Sequence, residues 1–282
     1  MEYLEAALPD GAGGRREDVE ALAVVGERID DETLDLFPNL KIVANYGVGY
    51  DTVEVEACAA RGVAVTNTPG VLTAATAELA FALLLAVRRR IVAGDRAVRE
   101  GRWRGGWADP DFLGRDVGGS TLGIVGYGRI GRAVSHLAAA FGMGVLYHSR
   151  RREDEGWRSL DQLLSEADAV SLHVPLTPET RGMLDAERLA LLRDGACLVN
   201  TARGQILDED ALVRELVSGR IEAGLDVFAH EPEVPRELLG LPNVVLTPHI
   251  GSATAETREA MTRVLVDNLL AVELGQRPPN PV

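Results

Sequence analysis

Three polar residues follow short apolar runs of this 282-residue chain: Arg203 after residues 196–200, Glu231 after 223–228, and His249 after 244–247. Runs of that length and composition read as buried strands of a parallel sheet, whose ligands sit beyond the carboxyl ends of the strands. One rim then collects a guanidinium, a carboxylate and an imidazole. A carboxylate beside an imidazole stabilises its protonated form and fixes its orientation, which suits His249 to general acid catalysis. Arg203 is always charged and matches a carboxylate in two-point fashion. The pattern points to anion clamping coupled to proton transfer. The plainer alternative, three unrelated charges at sheet edges, is disfavoured by their common position.

A second motif supplies a candidate reactant. Gly126-Tyr127-Gly128-Arg129-Ile130-Gly131 follows the apolar run 122–125 and opens an amphipathic segment over 132–141. In that context the first glycine makes a turn, the second admits a pyrophosphate to the backbone, and the third lets helix and strand approach. The helix amino terminus offers free N–H groups to the phosphates. The next strand ends at Tyr147-His148 and is followed by Ser149-Arg150-Arg151-Arg152, with no carboxylate before Glu153. An acidic residue there holds the ribose 2′-hydroxyl of NAD, whereas arginine accommodates a 2′-phosphate. NADP(H) is therefore the expected cofactor, with NAD(H) possible.

Short apolar runs alternating with longer amphipathic segments define an α/β chain with parallel strands. Strands are expected at 21–25, 41–44 and 63–65, with helices over 31–37 and 53–60. A long apolar helix spans 73–90, closed by Arg88-Arg89-Arg90, and an irregular stretch covers 101–120. The pattern restarts at Thr121-Leu122-Gly123 as a second sheet, with further strands at 144–147 and 169–172, and a last helix covers 255–274. The apolar run 79–87 falls well short of the roughly 20 residues that cross a bilayer. A formal net charge of −14 argues against nucleic acid and anionic membrane as partners. Cys58 and Cys197 lie in apolar segments and read as buried reduced thiols, which fits a cytoplasmic protein. His136, His148, His173 and His230 show no metal-ligand spacing, so no metal is expected.

Taken together, the chain resembles the D-isomer-specific 2-hydroxyacid dehydrogenases, and among them the glyoxylate/hydroxypyruvate reductases. The resemblance is carried by Asn45-Tyr46-Gly47-Val48-Gly49-Tyr50-Asp51, Asn67-Thr68-Pro69, the glycine loop, Val174-Pro175-Leu176-Thr177, Thr201-Ala202-Arg203-Gly204, Leu225-Asp226-Val227-Phe228, Glu231-Pro232 and Pro248-His249-Ile250-Gly251-Ser252. It implies Arg203 as substrate clamp, Glu231 as partner of His249, and His249 as the acid that protonates the carbonyl oxygen. It further implies cofactor contacts at Thr201, Ala202, Asp226 and Gly251 on the nicotinamide side and at Val174. The backbone amides of Val48 and Gly49 would hold the substrate carboxylate, and Trp107 would reach the site of a second subunit in a homodimer.

The implied architecture is a Rossmann-type doubly wound sheet over 69–252 and a smaller flavodoxin-like α/β substrate domain from 1–68 and 253–282. Family members open with a strand and helix ahead of the segment at 21–25, so the substrate domain is expected to be incomplete at its amino-terminal side. The expected reaction is NADPH-dependent reduction of glyoxylate or hydroxypyruvate to the D-2-hydroxy acid. The alternatives are a D-lactate or phosphoglycerate type of the same family, or a nucleotide-sensing protein of the co-repressor kind, because fold alone does not fix function.

Overall fold

The computed structural model describes residues 15–105, 112–152 and 155–282. It divides into two compact units, Met1–Leu72 with Thr254–Val282, and Thr73–Ala253.

The first unit carries strands β1 (Ala21–Val24), β2 (Ile42–Asn45) and β3 (Ala64–Thr66), all parallel and in that order. Helix α1 (Asp31–Asp35) starts where the Asp30 carboxylate accepts the Thr33 amide, and α2 (Val55–Ala60) leads into β3. The pairing places Ala44 beside Thr66, so Asn45 and Asn67 leave neighbouring strands at the same edge. Val24, Ile29, Leu34, Phe37, Val43, Cys58 and Val65 form the core.

The second unit opens with α3 (Thr73–Arg88) and α4 (Ile91–Arg99). It then alternates β4 (Thr121–Val125), α5 (Arg129–Ala140), β5 (Gly144–His148), α6 (Leu160–Glu166), β6 (Ala169–Leu172), α7 (Ala186–Ala190), β7 (Cys197–Asn200), α8 (Glu209–Val217), β8 (Glu222–Leu225) and β9 (Val244–Leu246). The six strands are parallel in the order β5-β4-β6-β7-β8-β9. The chain therefore leaves β4 to one side and returns to its other side at β6, and this reversal is where such sheets bind ligands. Successive residues of β7 serve opposite cores: Leu198 packs with Leu163 and Leu212, whereas Cys197 and Val199 pack with Phe81 and Ile124. Both faces of the sheet are covered, as parallel sheets require. Helix α3 crosses β8 at Gly224, where an added Cβ would lie 2.8 Å from the Leu83 Cβ. Finally α9 (Ala255–Glu273) rejoins the first unit, with Leu265 packed on Ile42 and Ala44.

This is the expected α/β class with a doubly wound dinucleotide-binding sheet, but several element limits differ from the sequence expectation. The apolar helix stops at Arg88, because Arg90 adopts a left-handed backbone (φ 50°), and a separate helix, α4, follows within what the pattern left unassigned. Arg88 is not a solvated stop signal. It is buried, donating to the carbonyls of Gly195 and Asp116 at 3.2 and 3.4 Å. Strand β8 ends at Leu225 rather than at Phe228: the Asp226 amide still donates to the Asn200 carbonyl, but Phe228 N–H turns to Glu231 and Ala229 N–H to Glu209. Glu231 consequently sits in a turn beyond the strand end. Among the described residues no helix is long and apolar enough to cross a membrane.

Candidate active site

The glycine loop leaves β4 at the sheet reversal. Gly126 has φ 98°, and a Cβ there would fall 2.5 Å from the His173 carbonyl oxygen and 2.8 Å from the Val174 nitrogen, so the turn nests against the end of β6. At Gly131 a Cβ would lie 2.1 Å from the Gly126 oxygen, so only glycine lets α5 start this close. Gly128 differs from both. It caps α5 without a side-chain hydrogen bond, and a Cβ there would meet nothing within 4 Å. Open space facing a helix amino terminus is what a pyrophosphate needs.

The side chain of Tyr127 is not turned to that space. Its ring stacks on Tyr147 with centroids 4.1 Å apart, Arg132 lies 4.6 Å above it, and its hydroxyl donates to Ser135. Any cofactor contact of Tyr127 is left to its backbone. Arg129 is exposed and Ile130 half-buried at the head of α5.

At the end of β5, Ser149 donates its hydroxyl to the Arg151 carbonyl, and Trp157 Nε1 donates to the Ser149 carbonyl at 3.0 Å. The loop is thereby held with Arg150 and Arg151 exposed, while Arg152 lies 5.6 Å from the Trp157 ring centroid. His148 is occupied, its Nδ1 facing the Arg158 carbonyl at 3.0 Å. His173 pairs its Nε2 with Ser171 Oγ at 2.8 Å, and burial pushes it down to about 4, so it is neutral at physiological pH. Val174 follows it, half-buried.

Arg203 emerges from β7 through a loop that Asn200 organises. Asn200 is fully buried; its Oδ1 accepts the Ala202 amide at 3.0 Å and its Nδ2 donates to the Arg203 carbonyl at 2.8 Å. Arg203 Nη1 donates to the Ala202 carbonyl at 2.8 Å. Gly204 then runs against the neighbouring segment so closely that a Cβ would lie 1.9 Å from the Phe228 carbonyl carbon. Thr201 Oγ1 is buried with no hydrogen-bond partner among the described residues, an unmet polar group beside the loop.

Glu231 and His249 meet directly: His249 Nδ1 stands 2.7 Å from Glu231 Oε2. The other carboxylate oxygen accepts the Phe228 amide at 3.0 Å, so the carboxylate is fixed on both sides. Burial alone would raise the Glu231 carboxyl, but the bonds from His249 and Phe228, with the charges of His249 and Arg203, hold it below its ordinary value. His249 itself has φ 52°, a left-handed backbone that costs a non-glycine residue roughly 1 kcal/mol or more.

The segment carrying His249 is held by Asp226, which is fully buried. Its carboxylate accepts Thr247 Oγ1 at 2.6 Å and the amides of Ile250 and Gly251, each at 2.8 Å, and its backbone carbonyl accepts the His249 amide at 2.9 Å. Burial pushes the Asp226 carboxyl up, against these bonds and the nearby His249. Sequence reasoning assigned Asp226 and Gly251 to the cofactor without seeing this link. It missed Asn200 altogether, although an asparagine ending an apolar run just before a functional loop is a readable signal.

In the first unit Val48 and Gly49 lie half-buried in the loop that follows β2. Trp107 lies outside the described residues. His136 is exposed on α5, and His230 makes a backbone bridge to Glu233. No group of three or more His, Cys, Asp or Glu among the described residues could hold a metal ion.

Residues 81–251 match the model of the D-isomer specific 2-hydroxyacid dehydrogenase NAD binding domain. The chain is 50% identical over 275 residues to a glyoxylate reductase of Thermococcus litoralis, covering 93% of this chain and 83% of the relative. Among solved structures it is similar to a protein of Thermus thermophilus, with 51% identity, a TM-score of 0.89, and coverage of 94% of this chain and 86% of that one. It is also similar to the NADPH-dependent glyoxylate/hydroxypyruvate reductase of Sinorhizobium meliloti in complex with NADP and malonate, with 40% identity, a TM-score of 0.87, and coverage of 94% and 84%. With an identity this high across both units and the glycine loop in its strand-turn-helix setting, the chain belongs to the D-isomer-specific 2-hydroxyacid dehydrogenases, as an NAD(P)-dependent oxidoreductase resembling the glyoxylate reductases.

Proposed function

We propose that this protein reduces a small 2-keto acid, glyoxylate or hydroxypyruvate, to the D-2-hydroxy acid, with NADPH as the preferred donor. The observation that carries the reading is the 2.7 Å contact between His249 Nδ1 and Glu231 Oε2. With Nδ1 committed to the carboxylate, Nε2 is the nitrogen left to hold the proton that the carbonyl oxygen receives. Arg203 clamps the substrate carboxylate and polarises the ketone, and the amides of Val48 and Gly49 add carboxylate contacts. As negative charge develops on the carbonyl oxygen, Arg203 and protonated His249 interact more strongly with it than with the ketone, which is the difference that accelerates the reaction.

The chain's own groups fit a dinucleotide. Gly128 leaves room for phosphate at the amino terminus of α5, and Thr201 Oγ1 lacks a partner beside the candidate clamp. When bound, the nicotinamide supplies the hydride. Thr201, Ala202, Asp226, Gly251 and Val174 would line its path, and Ser149, Arg150 and Arg151 would meet the 2′-phosphate. The NADP complex of the NADPH-dependent Sinorhizobium relative supports that preference.

A second copy of the chain is the proposed partner. Ile91 and Val98, one face of α4, are 54% and 60% exposed, and Trp103 and Leu113 are exposed too. Buried free Cys58 and Cys197 support a reducing, cytoplasmic setting. The test is NADPH and NADH oxidation at 340 nm with glyoxylate, hydroxypyruvate, pyruvate and phenylpyruvate, with light scattering for the oligomer. Fastest turnover of glyoxylate or hydroxypyruvate with NADPH supports the reading; a preference for pyruvate with NADH would overturn it in favour of the D-lactate type.

A further inference from the structure

The loop after β2 has its carbonyls tied down by two asparagines. Asn45 Nδ2 donates to the carbonyls of Gly47 at 3.1 Å and Gly49 at 2.9 Å, and Asn67 Nδ2 donates to the carbonyl of Val48 at 2.9 Å. The Thr68 amide adds a bond to Gly47 O at 2.9 Å. Both asparagines are buried, with 3% and 9% of their surface exposed, so their amides have no competing solvent and the bonds persist. They stand side by side because the β2–β3 register brings the two strand ends together.

In a trans peptide the carbonyl of one residue points opposite to the N–H of the next. Fixing the carbonyls of Gly47, Val48 and Gly49 on the asparagine side therefore turns the amides of Val48, Gly49 and Tyr50 the other way. No hydrogen bond among the described residues is donated by any of the three. Successive free amides on one side of a backbone form a cradle for an anion.

We propose that Asn45 and Asn67 are positioning residues that set this three-amide cradle for the substrate carboxylate, with Tyr50 N–H as its third donor. The inference rests on the reading that Val48 and Gly49 bind that carboxylate, and it assigns the side chains that make the binding geometry permanent. Neither asparagine touches the substrate: each acts by holding carbonyls away from it. A loop without them could rotate its peptides, and a carbonyl presented to a carboxylate repels it.

Two measurements separate the reading from the inference. In the parent enzyme with NADPH, oxamate should shift the amide resonances of Val48, Gly49 and Tyr50; unshifted resonances overturn the carboxylate reading and the inference with it. Asn67→Asp and Asn45→Asp keep the shape but cannot donate. Each should raise the KM for glyoxylate and the inhibition constant of oxamate about 10- to 100-fold, the range for losing a hydrogen bond to a charged group, while the KM for NADPH stays within about twofold. Asn67→Ser, which retains one donor, should fall between Asn67→Asp and the parent. If the parent amides shift but both aspartate variants keep the parental KM and oxamate affinity, the asparagine inference alone is overturned. It is equally overturned if NADPH affinity and melting temperature fall in step with glyoxylate affinity, which is the signature of a merely structural role.

Discussion

The backbone carbonyl of Asp226 accepts the amide N–H of His249 at 2.9 Å, and the same aspartate grips the following two amides through its side chain. The left-handed backbone of His249 is thus imposed from the end of the neighbouring strand. Asp226→Asn leaves at least one of those donors facing an amide instead of a carboxylate, with a cost of about 2 kcal/mol for a buried donor left unpaired. We expect the melting temperature to fall by about 4–8 °C. Turnover should fall as well, since the imidazole loses its fixed aim. An unchanged melting temperature in scanning calorimetry would remove Asp226 as the organiser of this segment.

His249→Ala is expected to lower kcat/KM for glyoxylate by about 10²- to 10⁴-fold, the usual contribution of a positioned general acid. Glu231→Gln keeps the size and one acceptor but not the charge, and should lower it less. NADPH binding, followed by fluorescence, should be unchanged in both. Full reductase turnover of the alanine variant would sink the acid assignment.

Two glycines predict opposite failures. Gly204→Ala drives a Cβ to 1.9 Å from the Phe228 carbonyl carbon, and backbone on both sides must move, at a cost of about 3 kcal/mol or more. Gly128→Ala meets nothing, so it should fold with the parental melting temperature and instead weaken NADPH binding. Measuring both quantities on both variants checks the pair: a Gly128→Ala enzyme with parental cofactor affinity would show that the space beside Gly128 is not where phosphate sits.

How far the sequence reaches is visible in these residues. Apolar runs marked β6 to the residue, because both faces of that strand are buried and nothing charged interrupts it. The same rule overran β8, since Val227 and Phe228 are as buried as strand residues while the Phe228 amide serves the Glu231 side chain. Helix α4 was missed because its start depends on Arg90 turning left-handed, and an arginine gives no sign of that. The glycine loop and the family it belongs to were legible as motifs. The links from Asp226 to the His249 segment, from Asn200 to the Arg203 loop, and from Asn45 and Asn67 to the Val48 loop were not. The Asp226 and Asn67 bonds cross between strand ends to partners for which the chain has no spacing rule, whereas those of Asn200 and Asn45 reach two to four residues on, a local pattern that went unread.

Protonation of His173 provides a stability test. Its folded value of about 4 lies below the ordinary 6.5, so between these pH values the unfolded chain binds the proton and the folded chain does not. Stability is then fully present above about pH 6.5 and is lost as pH falls toward 4. His173→Asn should flatten that part of the profile. Urea midpoints of the two proteins between pH 4.5 and 7.5, at intervals of about half a unit, give the comparison; parallel curves would mean that His173 is not the group responsible.

Arg150→Ser and Arg151→Ser should each raise the KM for NADPH and leave that for NADH near its parental value, because only the 2′-phosphate distinguishes the two. Equal losses with both cofactors would refer these arginines to general folding of the loop.

The return of α9 to the first unit has a consequence for how the chain is made. Ile42 and Ala44 cluster with Leu265, and Asn67 gives its amide to the carbonyl of Asn280. During synthesis β2 and β3 are made early, whereas α9, which packs on one side of them, follows every strand of the larger sheet. The smaller unit is begun first and closed last, because its core waits on a helix that follows all six strands of the larger sheet.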